Sequence, residues 1–194
     1  MKDLDLYLFF DTETTGLPKN WEAPISDIDN WPRIVQIAWI LSSEEKGRIE
    51  SNDFIIKPEG FEIPEESSRV HGITTQKAYA EGIDLIEALT KFNLALQKSS
   101  CLVAHNMNFD EKVIGAEFLR KGIENDFFEK NRLCTMEKST QYCKLPGRYG
   151  YKWPSLSELH NILFGKDFED AHNAAGDINA TESCFWKLRE LGII

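Results

Sequence analysis

The chain has 194 residues, 42% apolar and 11% aromatic, with a formal charge of −10. That length suits one core, so residues 1–194 are read as a single domain; apolar runs such as Tyr7 to Phe10 fall far short of the roughly 20 residues that span a bilayer. The charge tells against coating long duplex, a task for many Lys and Arg, but leaves room for a protein that grips a few terminal nucleotides with the help of bound metal ions, whose charge the count omits.

The amino terminus interrupts its apolar residues with two acids and has no small-residue cleavage site, which implies no secretory signal and a cytoplasmic protein. Leu6 to Phe10, nearly all apolar, suits a central strand covered on both faces. The next segment, from Pro18 to Arg33, is long for a connection and carries Trp21 and Trp31, which are expected to pack on the domain. Ile34 to Leu41 follows as a strand with Val35, Ile37, Trp39 and Leu41 on one face, and Arg48 to Ile56 makes a third, so the chain leads with a meander. Asp84-Leu-Ile-Glu87 is a capping signal ahead of Leu85, Leu89, Phe92 and Leu96 at helical spacing. Cys101 to His105 is a short strand, Phe109 to Lys121 a helix and Arg132 to Thr135 an edge strand. Lys138 to Ser157 reads as a loop, and Ser155 to Phe164 and Asp177 to Leu191 as closing helices. The order implies an α/β fold, a mixed central β-sheet with a leading three-stranded meander, flanked by helices on both faces. The spacing of Cys101, Cys134, Cys143 and Cys184 matches neither a CxxC zinc site nor a short disulfide framework.

The chemistry begins in Asp11-Thr-Glu-Thr-Thr-Gly16. Residues two apart on a strand point to one side, so Asp11 and Glu13 present two carboxylates together. Hard oxygen ligands of this kind suit Mg²⁺ or Mn²⁺; taken alone, the pair is better read as two solvated acids, and it is the buried apolar strand before it that favours a metal. Asp110, in His105-Asn-Met-Asn-Phe-Asp110, falls in the first turn of a helix, where it could be a third ligand or simply favour the helix dipole. His172 and Asp177, five apart, could not face one pocket from a single straight helix. The geometry works if Asp177 opens the last helix and His172 lies in the preceding loop, as a general base or as an inert loop histidine.

Together DTETTG at 11 to 16, HNMNFD at 105 to 110 and HNAAGD at 172 to 177, with VHGIT at 70 to 74 between, resemble the DnaQ-like (DEDDh) 3′→5′ exonucleases, a superfamily with a ribonuclease H-like fold that includes polymerase proofreading subunits, ribonuclease T and oligoribonuclease. The resemblance runs from Asp11 to about Glu182 and implies one exonuclease domain. It implies that Asp11, Glu13, Asp110 and Asp177 hold two Mg²⁺ or Mn²⁺ ions, Asp110 largely through water, and that His172 takes the proton of the water attacking the terminal phosphodiester, releasing nucleoside 5′-monophosphates. By the same resemblance Thr14, Leu17, Glu66, His71 and Asn106 contact the terminal nucleotide, with Leu17 beneath its base; VHGIT could equally shape a turn and seat Val70 and Ile73 in the core.

The implied partner is the 3′ end of single-stranded DNA or RNA. Because the chain ends soon after Asp177, a free-standing DNA exonuclease is expected ahead of a proofreading subunit bound to a polymerase catalytic subunit. An exoribonuclease of the ribonuclease T or oligoribonuclease type and a non-catalytic binding module on the same fold are the alternatives. Lys138 to Ser157 holds no acid, and Lys138, Lys144, Arg148 and Lys152 alternate there with Tyr142, Tyr149, Tyr151 and Trp153. Cations interleaved with aromatics suit a single-strand platform, or a solvated loop whose aromatics pack on the domain.

Overall fold

A computed structural model describes residues 5–168 and 173–194. Its centre is a five-stranded sheet of order β3-β2-β1-β4-β5. Strands β1 (Tyr7–Thr14), β2 (Ile34–Ser43) and β3 (Gly47–Ile55) form the antiparallel meander, and β4 (Cys101–Ala104) and β5 (Asn131–Cys134) continue the sheet in parallel with β1. The mixed, helix-flanked sheet expected from the element order is therefore present.

Helices cover both faces. On one lie α3 (Leu85–Lys98) and α4 (Met107–Lys121), on the other α7 (Ala174–Glu190), backed by α5 (Thr135–Cys143) and α6 (Leu156–Phe164). The alternation of β1 shows which residue meets which layer. Phe10 packs edge-on against Phe92 of α3 with centroids 5.8 Å apart, while Phe9 meets Phe185 of α7 at 5.0 Å. Two layers bury β2 along all ten residues, so the single apolar face read from its alternation is a correction: Ile34, Ala38 and Ile40 are as buried as Val35 and Trp39.

Three helices are absent from the sequence reading. Helices α1 (Glu65–His71) and α2 (Thr75–Glu81) occupy the VHGIT region, and α5 replaces the first part of the expected loop. The rest of that loop is a hairpin of β6 (Pro146–Gly147) and β7 (Gly150–Tyr151). The last helix starts at Ala174, three residues ahead of Asp177.

The Pro18–Arg33 segment is tied to α4. Glu117, fully buried, binds Arg33 at 2.8 Å and Arg120 at 3.1 Å and accepts the Ile34 N–H; Arg120 donates to the Trp31 carbonyl at 2.7 Å. Trp31 is buried against Ala116, and Trp21 leans on Phe109 at 5.8 Å with part of its ring exposed. No helix among the described residues is long and apolar enough to cross a membrane. All four cysteines are free.

Candidate active site

The parallel ladder between β1 and β4 ends at Phe9 and Val103, but β1 runs on to Thr14. Beyond that point one edge of the central strand has no strand beside it. There the Thr12 N–H donates to Asp110 Oδ1 at 3.1 Å, and the Thr12 hydroxyl donates to the same oxygen at 2.7 Å. Asp110, in the first turn of α4, is thereby held beside the strand from the α3 and α4 face.

Asp11 and Glu13 share the opposite face with Phe9 and look toward α7. Asp177 lies in the first turn of that helix, and one carboxylate oxygen from each of Asp11, Glu13 and Asp177 lies within 4.8 Å of the others. The start of α7 is fixed by two caps. Asn173 Oδ1 accepts the Ala175 N–H at 3.0 Å, and Gln36 Oε1 accepts the Ala174 N–H at 3.3 Å. Gln36 stands opposite Glu13 in the β1–β2 register, and its amide is oriented by donating to Asp53 at 2.7 Å. The strand that pairs with the acids thus also sets where the helix bearing the last acid begins.

Gathering these carboxylates suppresses their ionisation. Burial first, then Asp110, Asp177 and Glu13, raise the Asp11 carboxyl well above its ordinary range. Glu13 is pushed up to about 7 by burial and then by Asp177 and Asp110. Asp110 is pushed up to about 7 by burial, with Thr12 opposing and Asp177 adding. A hard divalent cation would offset both the burial and the mutual repulsion of the carboxylates, and an all-oxygen donor set fits Mg²⁺ or Mn²⁺.

Asp11 and Asp177 open into a cleft of about 370 Å³ that is also lined by His105, Asn106, Met136 and Pro154. His105 holds that last wall. Its Nε2 donates to the Pro154 carbonyl at 3.1 Å, and since a carbonyl only accepts, Nδ1 takes the Thr135 hydroxyl at 3.0 Å. Burial pushes His105 down to about 4, so the ring is neutral.

The expected nucleotide contacts divide. Asn106 joins β4 to α4 in the left-handed region, with φ 76° and ψ 47°, and lines the cleft. Thr14 donates its hydroxyl to the Gly16 carbonyl at 2.7 Å, closing a turn whose φ of 143° at Gly16 requires glycine. Leu17 follows, 72% exposed, and Glu66 is exposed in the first turn of α1; neither lines the cleft. His71 is buried beside the Thr14 backbone, its Nδ1 accepting the Ile73 N–H at 3.1 Å and its Nε2 making no well-formed hydrogen bond. His172 lies outside the described residues. Sequence reasoning missed Thr12, which the alternation of β1 could have turned toward Asp110, and Gln36, His105 and Pro154, whose contacts are long-range.

A sheet of this order with acids gathered past the end of its central ladder defines a ribonuclease H-like nuclease fold. The exonuclease family model, of the RNase T type, matches residues 8–185, and the chain belongs to that family. None of the curated proteins matches it. Among solved structures it is similar to E. coli exonuclease I in complex with a dA16 oligonucleotide, at 22% identity and a TM-score of 0.76, covering 96% of this chain and 41% of that one. The zinc-bound form of an E. coli exonuclease I complex with single-stranded DNA matches at 24% identity and 0.75, covering 97% and 41%. A product-bound exonuclease I matches at 20% and 0.74, covering 96% and 44%. The chain therefore spans less than half the length of these proteins, and at such identities the likeness is one of fold.

Proposed function

We propose that residues 1–194 act as one exonuclease domain that removes nucleoside 5′-monophosphates from the 3′ ends of single-stranded DNA, with two divalent ions, Mg²⁺ or Mn²⁺, held by Asp11, Glu13, Asp110 and Asp177. The observation that carries this reading is the convergence of Asp11, Glu13 and Asp177 to within 4.8 Å from chain positions as distant as 11 and 177. When bound, such ions polarise the phosphoryl oxygens, acidify water and stabilise the attacking and leaving oxygens.

The chain's own residues supply position and proton transfer. Asp11 and Glu13 are fixed by the central strand, and Asp177 by a helix capped from β2. Asp110 has one oxygen committed to Thr12, which suits a ligand acting through water. His172, adjacent to the helix cap Asn173, takes the proton of the attacking water. Thr14, Leu17, Glu66, His71 and Asn106 hold the terminal nucleotide, Leu17 through its exposed apolar side chain.

The oligonucleotides in the matched complexes, dA16 and dT13, are DNA, which supports DNA over RNA as substrate. Association with a polymerase catalytic subunit and a cytoplasmic location rest on the sequence alone. The test is degradation of labelled single-stranded DNA and RNA in Mg²⁺, in Mn²⁺ and in EDTA. Stepwise loss from the 3′ end, blocked by a 3′-phosphate and absent in EDTA, is expected. Release from the 5′ end, or faster hydrolysis of nucleoside triphosphates, would overturn the reading; faster loss of RNA would replace DNA with RNA.

A further inference from the structure

A second pocket, of about 340 Å³, lies beside the acid cleft, and Asn106 and Met136 line both. Anything that leaves the acids over those two side chains enters it. One of its walls is Trp153, which is 63% exposed. The indole is nevertheless anchored on both sides in sequence. Pro154 is buried and tied to His105, and Ser155 caps α6 in a reciprocal capping box with Glu158. Before it, the Lys152 N–H closes the hairpin by donating to the Leu145 carbonyl at 3.0 Å. An aromatic face left open to water while its backbone is fastened is suited to stacking a ligand and is poorly explained by core packing.

The charges in the pocket decide which part of a strand fits. Glu111 and Glu137 line it with one cation, Arg132. That guanidinium is already committed, with Nε 3.0 Å from Glu111 Oε2 and its carbon 5.2 Å from the centre of the Phe128 ring. Two carboxylates facing one occupied guanidinium repel a phosphate. An uncharged planar ring meets no such repulsion, gains the faces of Trp153 and Met136, and can bond its polar edge to Asn108 or a carboxylate.

Resting on the exonuclease reading, we propose that this pocket receives the base of the nucleotide immediately upstream of the scissile linkage and that Trp153 stacks on it. The terminal nucleotide is then held at the acids while its neighbour is held by a π-face across Asn106 and Met136.

Three substrates test this on the full chain in Mg²⁺: a single-stranded oligodeoxynucleotide, the same strand with an abasic residue next to its 3′-terminal nucleotide, and the methyl ester of thymidine 5′-monophosphate, which has a scissile phosphodiester but no upstream ring. Trp153→Ala should raise KM for the intact strand on the order of 5- to 150-fold, the range that stacking on an aromatic side chain spans, and leave hydrolysis of the ester unchanged. The abasic strand should cost the unmodified enzyme a similar factor and the variant little more, and Trp153→Phe should recover most of the loss. Equal losses on strand and ester, or additive losses from the variant and the abasic residue, would overturn the assignment. If the unmodified protein hydrolysed none of the three, the exonuclease reading would fall; binding of intact and abasic strands to both proteins in EDTA would still decide the pocket, which is refuted if the variant discriminates between them as well as the unmodified protein does.

Discussion

At the acid cleft the functional side chains of the described residues hang from elements fixed by the core: Asp11 and Glu13 from the central strand, Asp110 from a helix bonded to that strand, Asp177 from a helix capped by Gln36. The arm from Thr135 to Ser157 is built differently. Its hairpin pairs two residues a side, Tyr149 is 89% exposed, and the Arg148 guanidinium rests over that tyrosine ring at 5.1 Å. The contrast follows from the tasks. Carboxylates that are to share cations must be held close against their own repulsion, which only a packed scaffold can do; a passing strand of varied sequence is better met by exposed rings and mobile cations. The arm meets the cleft at its two ends, through Met136, Pro154 and the α6 cap, and His105 ties those ends together, so damage in the hairpin between them should be readable separately from damage at the acids.

The largest effect is expected where the scaffold is most rigid. Asp11→Asn or Asp177→Asn should abolish hydrolysis while leaving the circular dichroism spectrum unchanged, because the amide is nearly isosteric but a poor ligand for a hard cation. Turnover above a few per cent of the unmodified rate would remove that residue from the mechanism. His172→Ala should lower kcat by roughly 10²-fold; a variant with an unaltered rate between pH 6 and 9 would show that the proton goes elsewhere.

The crowding of the acids should also be visible in stability without metal. Glu13 and Asp110 keep protons in the folded state up to about pH 7, whereas in the unfolded chain they release them near pH 4. Between those values the folded state binds more protons, so stability falls as pH rises and levels off above about 7. In EDTA the Tm should be lower at pH 8 than at pH 5.5, Mg²⁺ should narrow the gap, and Glu13→Gln should flatten the slope. An equal Tm at both pH values would mean that the carboxylates are not crowded in solution.

The smallest change is expected on the arm. Lys152 is paired with Glu158 at 2.5 Å and is not a free cation, so the test falls on Lys144 and Arg148. Neutralising both should flatten the salt dependence of single-strand binding by about 0.7 for each phosphate that no longer meets a cation, with little effect on kcat. An unchanged slope would place the strand away from the hairpin.

How far the sequence reveals these regions follows from what fills their buried positions. β1, β4 and α3 are legible because their inward residues are apolar, and the acids because the alternation of a strand and the first turn of a helix put them where they are. Helix α5 escapes because its buried face is Thr135 and Ser139, polar residues that erase the apolar period while keeping the spacing. Helices α1 and α2 are each seven residues long with one buried side chain apiece, His71 and Ala78, too little for periodicity to register. The full burial of β2 cannot be seen because its second cover, α7, lies more than a hundred residues away in the chain.

That distance matters before the protein is complete. A chain emerging from the ribosome carries the two acids of β1 long before the third member of their cluster, which arrives with α7. Until α7 docks on β1 and β2, the three carboxylates of the proposed cation site are not assembled. Once it docks, any cation bound there stabilises that docking by mass action, so amide hydrogen exchange at the start of α7 should slow with rising Mg²⁺ while exchange in the hairpin of the arm does not.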